Sequence, residues 1–157
     1  MTIAELKKLD IERKKKEHPT LALNNPDAIT PYAYKQNNAN GLTRCIIDAI
    51  NFSGGYATRI NNAGTFRKGK TIQRDFGMNP IQEKGVYTFN GTRGIADIDA
   101  FFNGVNVKIE VKYGKDRMSE AQRKYKENIE RVGGVYIVAR NLEDFWIELM
   151  EKINQRT

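Results

Sequence analysis

Two strand-length runs separated by Asn103-Gly104 constrain this chain more than any other feature: Gly94 to Phe102 on one side and Val105 to Lys112 on the other. Asn-Gly takes the positive φ angles of a tight hairpin turn at little cost, so the runs are expected to pair antiparallel. Side chains along a strand alternate between faces. Asp97 and Asp99 therefore project together, as do Glu110 and Lys112, and pairing across the turn brings carboxylates and an ammonium onto one face, near the ends away from the turn. Ile98, Ile109 and Val111 take the opposite face. A plain half-buried strand has no reason to aim an Asp, a Glu and a Lys at one spot; a metal-dependent hydrolase does.

Composition narrows the chemistry available. A chain of 157 residues fits one domain, and seven Phe, seven Tyr and one Trp supply material for its core. The single cysteine, Cys45, excludes an internal disulfide and a cysteine-based zinc site. The single histidine, His18, lies far from the hairpin in sequence, so histidine metal sites and Ser-His-Asp catalysis have no material. What remains is carboxylates, lysine and a hard cation. No apolar run approaches the roughly 18 residues of a membrane span, and Met1 to Lys16 is charged rather than signal-like. A cytoplasmic protein with no membrane partner is expected. The formal net charge of +7 favours a polyanion, nucleic acid first.

Residues 1–40 read as a basic N-terminal arm, carrying Lys7, Lys8 and Arg13 to Lys16, followed by a Pro- and Asn-rich linker; residues 41–157 read as the domain. Leu42, Cys45, Ile46, Ala49 and Ile50 recur at helical spacing, and Gly54-Gly55 ends that helix. Tyr56 to Asn61 is a predicted strand with Ala57 and Arg59 on one face. Residues 62–93 show little periodicity and read as a long basic loop, with Val86 to Phe89 a candidate strand at its end. After the hairpin, Ser119-Glu120-Ala121-Gln122 has the form of a capping box. Met118, Ala121, Tyr125, Ile129 and Val132 then line one helical face until Gly133-Gly134. Val135 to Ala139 is an apolar run expected as a strand buried on both faces. Asn141 caps a last helix whose Leu142, Phe145, Trp146, Leu149 and Ile153 pack inward. This order predicts an α/β fold, a mixed sheet flanked by helices.

Asp97 followed by Glu110-Val111-Lys112 is an Asp…Glu-x-Lys arrangement. With Gly94-Ile95-Ala96-Asp97, Ile109 to Lys112, Met118 to Gln122, and Gly133-Gly134-Val135 in this order, the stretch from Leu42 to Leu149 resembles the PD-(D/E)xK nuclease superfamily. Within it, the resemblance is to the small VRR-NUC type found in many phages. It implies a restriction-endonuclease-like fold, with Asp97 and Glu110 as metal ligands and the Val111 carbonyl as a further ligand. It also implies Lys112 as the residue that orients or activates water, and Gln122 as the glutamine that such nucleases carry on the following helix. Mg²⁺ is the implied cofactor, with Mn²⁺ substituting, branched DNA such as Holliday junctions the implied substrate, and a homodimer the implied active unit. Two positions depart from the pattern. Ala96 stands where many relatives have proline, and Leu42-Thr43-Arg44 holds no acid where the first core helix often supplies one. Asp48 on that helix is either a third acid or part of a solvated face, and Asp99 is an extra ligand or a supporting group.

The expectation is a Mg²⁺-dependent DNA endonuclease whose basic residues Arg59, Lys68, Lys70, Arg93, Lys115 and Arg117 hold phosphates around the scissile bond. A cation-bound water and a nearby lysine of lowered pKa would supply the nucleophile. The rival readings are a non-catalytic basic DNA-binding module of a phage replication or packaging complex and a protein-interaction domain with a basic surface.

Overall fold

The computed structural model describes residues 1–60, 65–69, 71–72, 81–82, 84, 86–88 and 92–156, with the side chains of the strands between 65 and 88 excepted. In chain order the elements are α1 (Ile3–Glu17), α2 (Pro19–Asn24), a 3₁₀ turn (Pro26–Ala28), α3 (Ala39–Phe52), β1 (Tyr56–Arg59), β2 (Thr65–Arg67), β3 (Thr71–Ile72), β4 (Ile81–Gln82), β5 (Val86–Thr88), β6 (Ile98–Phe102), β7 (Val105–Val111), α4 (Glu120–Arg131), β8 (Val135–Ala139) and α5 (Leu142–Asn154). They form two compact units, one of Met1–Ile60 with Gly94–Thr157 and one of Asn61–Arg93.

The first unit is an α/β domain around a four-stranded mixed sheet in the order β1-β6-β7-β8. Asn103 and Gly104 adopt φ of 48° and 77°, the left-handed pair that an Asn-Gly hairpin turn demands, and β6 and β7 pair antiparallel across it. α4 carries the chain over to β8, which runs parallel to β7. Three helix starts follow from local side-chain chemistry. Asn38 accepts from Gly41 N at 2.8 Å, Asn141 accepts from Asp144 N at 2.8 Å, and Ser119 and Gln122 form the capping box expected of them. α3 thus begins before Leu42, on an asparagine that its Asn-rich surroundings made look like linker.

Ile98, Ala100, Val107, Ile109 and Ile137 form the core face of the sheet, joined by Leu42, Cys45, Ile46, Ala49 and Ile50 of α3 and by Leu142, Phe145, Leu149 and Ile153 of α5. Residues 1–40, expected as an arm and linker, contribute to this core through Leu6 and Tyr34. Asp10 of α1 is buried and accepts from Tyr32 N at 2.7 Å while pairing with Arg13 and Lys14, which ties α1 to the segment entering α3. None of the α4 residues is buried, and Val132 at its C-terminal end is 72% exposed although its spacing predicts an inward position.

Residues 62–93, expected as a long loop, contain paired strands. β2 pairs with β5 (Thr65↔Thr88 to Arg67↔Val86) and β3 with β4 (Thr71↔Gln82, Ile72↔Ile81), both antiparallel, as two two-stranded sheets. Of the strand expected from Val86 to Phe89, Val86–Thr88 is β5, and Phe89 lies outside the described residues. Among the described residues no helix is long and apolar enough to cross a membrane.

Candidate active site

The register Ile98↔Ile109 places Asp97 and Glu110 beside each other, one step beyond the last β6–β7 pair. Asp97 is fixed twice: its Oδ2 accepts from Val111 N at 2.8 Å, and its carbonyl accepts from Ile60 N at 2.8 Å. Glu110 and Lys112 share its face, but they are buried rather than exposed, at 1% and 6%. β8 lies alongside them in the sheet, and α4 brings Gln122 over this face. Gln122 Nε2 donates to Glu110 Oε1 at 2.5 Å, Lys112 Nζ donates to Gln122 Oε1 at 3.1 Å, and Lys112 Nζ lies 2.9 Å from Glu110 Oε1. Gln122 Oε1 also accepts from Ser119 N at 2.8 Å. The capping and site roles of Gln122 are therefore performed by one side chain in one position, and the start of α4 is locked to the carboxylate.

Gly94 makes this closure possible. Its φ is +78°, and a Cβ there would overlap the Ala121 carbonyl and lie 2.7 Å from Gln122 N. The loop into Asp97 and the first turn of α4 meet backbone to backbone, which only glycine permits.

Burial pushes the Glu110 carboxyl up to about 7, with the nearby Asp97 charge adding to it and the Lys112 hydrogen bond opposing. For Lys112 burial acts downward, but the hydrogen bond and charge of Glu110, with Asp116, outweigh it and hold the ammonium above its ordinary value. The lowered lysine pKa expected beside a cation is thus not what the protein's own groups produce; the carboxylates around Lys112 favour its charged form.

Glu110 Oε2 is buried and has no hydrogen-bond partner. A carboxylate oxygen removed from water without a donor is costly, and a cation resolves it. The hard oxygens of Glu110 and Asp97, with the Val111 carbonyl between Glu110 and Lys112, fit a Mg²⁺-type ion. Among the described residues no group of three or more Asp, Glu, His or Cys side chains is placed to hold a metal, so the carboxylate set is this pair. Asp48 is neither at the site nor solvated: it is buried, accepting from the Tyr34 hydroxyl at 2.9 Å and from Arg44 Nε at 2.7 Å. Asp99 is on the site face but is paired with Lys108 at 2.6 Å and accepts from Asn106 at 3.1 Å.

The basic residues separate. Lys115 and Arg117 are exposed on the loop after Lys112 and flank Asp116, whose Oδ2 lies 3.4 Å from Lys112 Nζ. Arg59 pairs with Ile98 and so projects to the face opposite Asp97 and Glu110, exposed at the end of an edge strand. Lys68 and Arg93 are exposed residues of the second unit, and Lys70 lies outside the described residues.

Three contributors escape sequence reasoning. Asp116 has no periodic signal. Arg140 holds the 113–118 loop by donating to the Gly114 and Asp116 carbonyls at 3.3 and 3.1 Å. Tyr136 reads as one residue of an apolar strand, yet it stands on the site face, since Val138 pairs with Glu110 and Tyr136 with Lys108. No family model matches the chain, and no curated protein matches it either.

Proposed function

We propose that this protein is a divalent-metal-dependent DNA endonuclease that hydrolyses phosphodiester bonds by direct attack of water. The observation that carries the reading is the buried, unpartnered Glu110 Oε2 beside Asp97, in a circuit closed by Lys112 and Gln122. A cation held by Asp97, Glu110 and the Val111 carbonyl supplies Lewis acidity and a water of lowered pKa.

The chain's own groups do the rest. Lys112, kept charged by Glu110 and Asp116, acts as a cationic donor that orients the attacking water and offsets charge on the phosphoryl oxygens. Gln122 fixes Lys112 and Glu110 relative to each other, which keeps the donor in place as charge develops. Lys115 and Arg117, on the loop leaving Lys112, are placed to take the flanking phosphates. The fold-level analogy to PD-(D/E)xK nucleases of the VRR-NUC type extends the proposal to branched DNA, Holliday junctions included, and to a homodimer that makes paired nicks; the cytoplasm is the compartment in which it would act.

A second reading has one observation in its favour. With two carboxylates and, among the described residues, no third acid grouped with them, and with Lys112 already ion-paired, the site is also compatible with a basic DNA-binding module that does not cut. Labelled linear duplex, single strand, flap and four-way junction, each with Mg²⁺, Mn²⁺ or EDTA, separate the two. Cutting that requires metal supports the nuclease and ranks its substrates. Salt-sensitive binding without cutting under either metal supports the module.

A further inference from the structure

Tyr136 is buried at 1% exposure on the same face of the sheet as Glu110, one strand away. Its ring is held edge-on against Tyr125 of α4, at 6.2 Å between centroids. Glu110 is near enough to act on the hydroxyl through its charge and as an acceptor. Yet neither the Tyr136 hydroxyl nor Glu110 Oε2 completes a hydrogen bond of normal geometry. Two buried polar atoms, one able to donate and one able only to accept, thus lie unpartnered in the same part of the molecule. Buried hydroxyls and carboxylates in folded proteins are almost always satisfied, and one oxygen taking a hydrogen bond from the hydroxyl and bound beside Glu110 would meet the need of both. A core tyrosine with no other task would serve as well as phenylalanine, without the cost of an unmet hydroxyl.

We propose that Tyr136 is a positioning residue of the metal site, its hydroxyl donating to a water of the cation's shell on the Glu110 Oε2 side. The inference rests on the nuclease reading for the cation and goes beyond it in naming the group that orients a metal-bound water. Burial, and then the charges of Glu110 and Asp97, hold the phenol well above its ordinary value, so it serves as a donor and does not become a phenolate ligand.

The test is calorimetric titration of the full chain with Mn²⁺ alone, wild type beside Tyr136→Phe, with metal-free thermal unfolding of both. The expected result is a Mn²⁺ Kd about tenfold weaker in Tyr136→Phe, as for other groups that support metal ligands, with a metal-free Tm equal to or above wild type. An unchanged Kd overturns the inference and leaves the nuclease reading standing if the wild type still cuts DNA with metal. A metal-free Tm that drops sharply makes the hydroxyl a structural group and overturns it too. Absence of Mn²⁺ binding in the wild type removes the metal site and both readings with it.

Discussion

Glu110 makes the stability of the metal-free protein depend on pH in an unusual direction. Its carboxyl is carried from an ordinary 4.5 to about 7 by burial. The folded state therefore binds the proton more tightly than the unfolded chain does, and the resulting stabilisation is complete below about 4.5 and lost as pH rises through 7. At about 1.4 kcal/mol per pH unit, the whole interval amounts to at most about 3–4 kcal/mol, or roughly 6–16 °C in Tm for a chain of this size. Lys112 is also raised, from 10.5, so its contribution is lost only in strongly alkaline solution and leaves this window alone. The lowered pKa of Asp10 acts in the opposite sense, but its stabilisation is already present above an ordinary value of 3.8. Thermal or urea unfolding in EDTA from pH 5 to pH 8 is the assay, wild type beside Glu110→Gln. The wild type is expected to lose stability across the window, while Glu110→Gln is expected to be flat there, whatever its offset from losing the Lys112 ion pair. Equal slopes in the two proteins would refute the assignment of the buried charge to Glu110.

Other consequences follow from packing and charge. Gly94→Ala introduces a Cβ into the Ala121 carbonyl at a backbone angle only glycine adopts readily; a Tm decrease and a drop in metal-dependent activity of tenfold or more are expected together, and unchanged values of both would disprove the close approach. Leu6→Ala removes a fully buried side chain of α1 and is expected to cost about 2–5 kcal/mol in denaturant unfolding, whereas a loosely attached arm would lose almost nothing. Replacing both Lys115 and Arg117 by Ala is expected to weaken DNA binding evenly across sequences and to reduce the slope of log K against log salt by about 2. A slope equal to wild type would move the phosphate contacts elsewhere.

How much of this was legible in the sequence depended on how local the physics is. Asn103-Gly104 and Ser119-Gln122 carry their own geometry, so the hairpin turn and the start of α4 could be read directly. The α/β fold followed from the same elements, and the register then brought Asp97 and Glu110 together. The docking of α1 could not be read, because it depends on a sparse apolar pattern and on Asp10 accepting from Tyr32, more than twenty positions away. Asp48 misled for a similar reason: its partner Tyr34 sits in a segment with no helical or strand period. Burial of Glu110 and Lys112 was also hidden, since a strand's alternation says which residues share a face but not that a helix will close over it. Tyr136 looked apolar because a tyrosine in an apolar run gives no sign of where its hydroxyl ends. Of the strands in the second unit only β5 was legible; β2, β3 and β4 are two or three residues long, below the length at which alternation becomes visible.

The most direct test of the central claim is single-turnover cleavage of a labelled four-way junction, with Mg²⁺ or EDTA, by the wild type, Asp97→Asn and Lys112→Ala. The account predicts cutting by the wild type only with Mg²⁺, and a loss of about 10²–10⁴-fold in each variant whose fold is intact. If both variants cut at the wild-type rate, Asp97 and Lys112 do not form the catalytic site and the account is wrong.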